Sequence, residues 1–133
     1  MATGSNVGWD YPFKAAGSLA NAQYQGVYAS ANDTVNLPTG AVSPCVGVLQ
    51  NKPAAAGRGA TVRIAGQTKI MCGGTLTAGQ TFYMAASGWF VKTVSGYQPT
   101  GLCIKGANSG YPGEGLIFPS YLISVSSAQT GQG

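Results

Sequence analysis

Glycine and proline interrupt this chain so often that it has no room for a helix of ordinary length. There are 21 Gly and 7 Pro among 133 residues; in a helix interior Gly costs about 1 kcal/mol relative to Ala and Pro about 3 kcal/mol. The run richest in helix formers, "NKPAAAGRG" (51–59), holds about one turn at most, because Pro53, Gly57 and Gly59 break it. What lies between the breaks is short, apolar and β-prone: "QYQGVYA" (23–29), "CVGVLQ" (45–50), "ATVRIA" (60–65), "TKIMC" (68–72), "QTFYMAA" (80–86), "WFVKTV" (89–94), "GLCIKGA" (101–107) and "YLISVS" (121–126). Connections such as "ANDT", "LPTG", "LTAGQ" and "ASGW" carry turn chemistry. The pattern predicts an all-β chain, a single compact β-barrel, β-tulip-like or sandwich domain with an extended N-terminal arm. A chain of this length supports one hydrophobic core rather than two.

Three regions follow from the punctuation: an arm over residues 1–22, the β domain over 23–126, and a polar tail over 127–133. In the arm, Gly4, Gly8, Pro12 and Gly17 interrupt any regular element. Trp9, Tyr11 and Phe13 alternate there at period two, so an extended arm projects all three to one side. With Lys14 just beyond, they are the candidate interface residues, and the arm is expected to become firmly ordered only against a neighbouring subunit. Residues 60–72 read as a hairpin turning at Ala65 and Gly66, with Val62 and Ile64 on one face and Thr61 and Arg63 on a wet one. On its return strand Ile70 and Cys72 oppose Lys69 and Met71.

Hydrophobic residues make up 44% of the chain, which excludes wholesale disorder, yet charged residues make up only 8% where about 25% is usual. Small polar side chains therefore cover the surface. They lose little entropy or charge hydration when buried against a partner, which favours life in an assembly. The net charge of +4 is scattered over Lys14, Lys52, Arg58, Arg63, Lys69, Lys92 and Lys105, without a basic run. No secretory leader pattern follows Met1 and no apolar stretch reaches membrane-spanning length, so a soluble protein made in a cytoplasm is expected, with no membrane partner. Cys45, Cys72 and Cys103 are odd in number, without C-x-x-C spacing, and each lies in an apolar stretch; buried thiols are expected, not a disulfide framework or a zinc site.

The chain has no histidine, which removes Ser-His-Asp and Cys-His catalysis and nearly all zinc hydrolase designs. A two-carboxylate mechanism would have to draw on Asp10, Asp33 and Glu114, of which Asp10 lies in the arm and the others in turn-like contexts, "ANDT" and "PGEG". No catalytic residue, cofactor or metal site is expected. The loop "PAAAGRGA" lacks the Gly-Lys-Ser/Thr and following helix of a phosphate loop and reads as scaffold. Phe82, Tyr83, Trp89, Phe90 and Tyr97 with Lys92 and Arg63 are ingredients of a base-stacking platform, the alternative of a single-stranded nucleic-acid-binding barrel. Seven dispersed cations make a thin footprint for that role, and nucleic acid is not the expected partner.

Across residues 45–107 the sequence "GVLQNKPAAAGRGATVRIAGQTKIMCGGTLTAGQ", with the Gly88 turn and the Gly101 to Gly106 stretch, resembles the small capsid cement, or decoration, proteins of tailed bacteriophages. That resemblance implies a β-tulip or barrel-like domain displayed on the outside of an icosahedral head. It also implies that the partners are the major capsid protein and neighbouring copies of the chain, as a trimer or through arms, and that the role is to clamp adjoining capsomers. A tail or fibre module of the same β type is the further alternative.

Overall fold

In the computed structural model, residues 8–40, 44–94 and 98–118 are described. Nine strands run through them: β1 (Gly8–Ala15), β2 (Gly26–Ala31), β3 (Thr34–Asn36), β4 (Gly47–Leu49), β5 (Gly59–Met71), β6 (Thr81–Met84), β7 (Phe90–Lys92), β8 (Gly101–Lys105) and β9 (Pro112–Ile117). Among the described residues the only helical element is a single 3-10 turn, Ala86–Gly88. The chain is all-β, and no helix among the described residues is long and apolar enough to cross a membrane.

The strand order β1-β3-β2-β4-β5-β9-β8-β6-β7, with a further pairing of β1 to β5, closes the first five strands in that order into a barrel. The remaining four extend the sheet beyond it. β5 makes this possible, because over its 13 residues it serves both parts. Residues 59–66 pair with β1 and residues 66–71 with β9. Gly66 is in register with Gly8 on β1 and with Ile117 on β9, at a φ of 105°.

Two expectations are corrected here. Residues 60–72 are one strand rather than a hairpin: the positive φ at Gly66 is absorbed within a ladder that has partners on both sides of it, so the strand continues. Val62 lies in the barrel core and Ile70 and Cys72 in the other, so the face that β5 buries changes along its length. From Gly8 onward the expected arm is a barrel strand of the single chain, hydrogen-bonded to β5 along its length and to β3 at Lys14 and Ala15. Residues 1–7 of that arm, the predicted strand 121–126 and the tail 127–133 lie outside the described residues.

Two clusters of buried side chains replace the single expected core. Val27, Val35, Leu49 and Val62 with Ala15, Leu19, Ala22 and Ala60 fill the barrel. Ile70, Cys72, Leu76, Phe82, Met84, Phe90, Cys103 and Ile117 with Val48 fill the second cluster, where the Phe82 and Phe90 rings meet edge to face at 5.2 Å. Val48 and Leu49 are consecutive, and a strand points consecutive side chains to opposite faces. β4, buried at all three positions, therefore feeds one residue to each core.

Candidate interaction surface

β1 enters the barrel along an edge of β5 and is fastened there by Arg63. The Arg63 side chain, only 9% exposed, donates from Nε to Asp10 Oδ1 and from Nη1 to the Gln67 carbonyl, and from Nη2 to Asp10 Oδ2 at 3.4 Å. It reaches them by lying over Gly8, where a Cβ would come 2.4 Å from Arg63 Cδ and 2.7 Å from the Ala65 carbonyl oxygen. Gln67 extends the contacts, donating its side-chain amide to Glu114 Oε1 at 3.0 Å. Arg63, expected on a wet face, is thus buried because Asp10 and a backbone carbonyl solvate its charge in place of water.

The register of β1 against β5 shifts between Trp9 and Asp10, stepping from Ala65 to Arg63. The extra residue, Ile64, is on β5, so β1 keeps its alternation and the three aromatics share one side but differ in exposure. Trp9 is 66% exposed and Tyr11 46%. Phe13 is half-buried and packs on the barrel core, with its ring 4.8 Å from that of Tyr11. Lys14 is exposed, and its backbone N–H donates to the Asp33 carbonyl at 2.7 Å. Pro12 stands opposite Thr61, whose backbone N–H and C=O are used by Asn51 and Gln50 on the other side. Pro12 therefore occupies a pair that exchanges no ladder hydrogen bonds, where its missing N–H costs nothing.

The face that Trp9 joins continues onto the extended sheet. Trp9 is in register with Ala65; two residues on, Gln67 pairs with Leu116, and Leu116 with Leu102. By the period of two, these residues lie on the opposite side of the sheet from Ile70, Phe82 and Ile117. Leu116, across β5 from Trp9 and opposite Gln67, is 39% exposed. Leu116 was missed in the sequence because the preceding "PGEG" reads as a turn. It belongs instead to β9, and Glu114 sits within that strand rather than in a turn.

The other sequence candidates fall apart in space. Asp10 pairs with Arg63, Glu114 with Gln67, and Asp33 occupies the β2–β3 turn at a φ of 53°. Among the described residues no three of His, Cys, Asp and Glu gather to hold a metal. Cys72 and Cys103 are buried and Cys45 half-buried, and burial pushes the Cys45 thiol from the usual 9.0 up to about 12. Phe82 and Phe90 are fully buried and offer no ring to a base, while Tyr97 lies outside the described residues. A shallow groove of about 420 Å³ runs beside Trp89 over Gly73 and Ala85, with no ionisable residue in its lining.

The loop over residues 51–59 ties the barrel end together. Pro53 accepts from the Leu19 N–H at 2.7 Å and Arg58 from the Ala15 N–H at 2.9 Å, while Gly57, at a φ of 84°, donates to the Ala15 carbonyl at 2.8 Å. Asn51 bonds the Gly59 carbonyl and the Thr61 N–H, both at 3.0 Å. These bonds give "PAAAGRGA" a structural part at the barrel end.

No protein-family model and no curated protein matches the chain. Among solved structures, the crystal structure of the head fiber gp8.5 N base of bacteriophage phi29 matches it with a TM-score of 0.60 and 14% identity, over 83% of this chain and 93% of that one. At that identity the likeness shows a shared fold.

Proposed function

We propose that this chain is a noncatalytic structural protein of a phage virion. In this reading it is a decoration, or cement, protein that binds the exterior of the assembled head and stabilises contacts between capsomers. The observation that carries the reading is the likeness in fold to the phi29 head fiber base, over nearly the whole of that chain. The exposed Trp9 and Tyr11, on one barrel strand, support it as a docking face. Large aromatics in such positions bury much area at little entropic cost and commonly anchor contacts. The partners in this reading are the major capsid protein and neighbouring copies of the chain, the latter as a trimer; the chain is made in the host cytoplasm.

A ligand that binds only the assembled state stabilises it by its binding free energy, so protection depends on free protein concentration. Heads challenged by heat with and without added protein test this. Survival that rises with protein and saturates is the expected result, and equal survival rejects the cement role. A second reading, a structural module at the base of a fibre, draws on the same likeness, since the phi29 protein is a head fiber. Immunogold labelling of purified particles separates the two: label spread over the head surface supports cement, and label confined to fibre attachment points or to the tail supports the fibre module.

A further inference from the structure

At the end of the barrel where β1 meets the 51–59 loop, three cations gather on one exposed corner. Lys14 is in register with Gly59 on one side and Thr34 on the other. Arg58 precedes Gly59 and is bonded through its carbonyl to Ala15, the residue after Lys14. Lys52 follows Asn51, whose side chain holds the Gly59 carbonyl. All three are exposed, and the alanines between Pro53 and Gly57 are exposed with them. The acids leave this corner almost uncompensated. Asp10 is taken by Arg63 and Glu114 by Gln67, which leaves Asp33, in the neighbouring turn, as the one acid nearby. Among the described residues no ion pair engages Lys14, Lys52 or Arg58.

We infer that this corner is the electrostatic half of the docking surface, and that it fits a cluster of carboxylates on the surface of a partner protein. The inference rests on the head-binding reading and names the chemistry of the partner. Three features favour a protein over a nucleic acid. The cations sit at one corner rather than along a groove that would track a phosphate backbone. Between Lys52 and Arg58 the loop offers only proline, alanine and glycine, without an aromatic ring on which a base could stack. Those small exposed side chains lose little entropy when a flat surface covers them.

The test compares two triple variants of the full chain with equal net charge. Lys14→Gln with Lys52→Gln and Arg58→Gln empties the corner; Lys69→Gln with Lys92→Gln and Lys105→Gln removes as much charge from other exposed sites. Binding to purified heads is read by co-sedimentation, and binding to poly-glutamate and to a single-stranded DNA oligonucleotide by fluorescence anisotropy, all at low salt. The corner variant is expected to lose about tenfold in affinity for heads and for poly-glutamate, the control about twofold or less, with the difference fading as salt screens exposed pairs. Equal losses in both variants overturn the inference. So does oligonucleotide binding that exceeds poly-glutamate binding and depends on the same corner. If the wild type binds poly-glutamate through this corner but does not bind heads, the head reading fails and the acidic-partner inference stands. Circular dichroism confirms that both variants remain folded.

Discussion

Arg63 grips both carboxylate oxygens of Asp10 across 53 residues of sequence, and through that pair the first described strand is fastened to the longest one. The side chain of Asp10 is 37% exposed, so solvent screens the pair and its net contribution is about 1 kcal/mol. Asp10→Ala is expected to lower stability by about that amount and to raise amide exchange in β1 more than in β9. Deleting residues 2–14 goes further, removing most of a barrel strand, and is expected to abolish a cooperative thermal transition. A truncated chain that melts like the full one would show that β1 belongs to an arm after all.

Gly8 and Gly115 are places where a single methyl group meets an occupied site. A Cβ on Gly8 runs into the Arg63 side chain, and one on Gly115 comes 2.7 Å from Phe82 Cε2. The Arg63 side chain can retreat at the expense of the Asp10 pair, but the Ala65 carbonyl oxygen, 2.7 Å from a Gly8 Cβ, belongs to the ladder, and the Phe82 ring is fully buried. Gly115→Ala and Gly8→Ala are therefore each expected to lose about 1–3 kcal/mol. Urea denaturation of the two variants checks this, and a variant as stable as the wild type contradicts the packing described.

The two cores share β4, so they are expected to unfold together. Leu49→Ala, which hollows the barrel, is expected to cost about 2–5 kcal/mol. Because Val48 on the same strand reaches the other core, the loss appears as a shift of one transition. In a Trp9→Phe background tryptophan fluorescence reports on Trp89, beside the second cluster, and far-UV dichroism on all strands. Two separated transitions in Leu49→Ala would mean that the cores are independent.

Burial pushes the thiols of Cys45, Cys72 and Cys103 up, Cys45 from 9.0 to about 12. The folded state then holds protons that the unfolded state has lost, so stability is complete below about pH 9 and declines as pH rises from there toward 12. For Cys45 alone the slope is at most about 1.4 kcal/mol per pH unit. Chemical denaturation at pH 7, 9 and 10.5 is expected to show that decline, and Cys45→Ala to show less of it. An undiminished decline in the variant would remove Cys45 as its source.

Much of this architecture is legible along the chain, and the failures share a cause. Strands 45–50 and 80–86 are found because "VGVL" and "TFYM" carry their own apolar signal, and period two within each half of the 60–72 stretch finds Val62, and separately Ile70 and Cys72. What is lost is context. Gly66 looks like a turn until partner strands on both sides of it are known, and Pro12 looks like a breaker until it is seen opposite Thr61, where no N–H is needed. "PGEGLI" hides β9 because Gly113 and Gly115 replace side chains for which the core has no room. Of the candidate interface residues, Trp9, Tyr11 and Lys14 are exposed, and Phe13 packs on the barrel core because it stands opposite Ala60, a pairing that one strand's sequence does not reveal.

The central claim is that the chain recognises the assembled head through its β1 face. The most direct measurement is a binding isotherm of the wild type and of the Trp9→Ala, Tyr11→Ala double variant on purified heads, with unassembled capsid protein as the comparison. The account predicts saturable binding to heads, none to unassembled subunits, and a loss of about 10-fold to 100-fold in the variant, as expected for removal of two exposed aromatic anchors. Wild-type binding that is absent from heads, or equal on heads and free subunits, contradicts it.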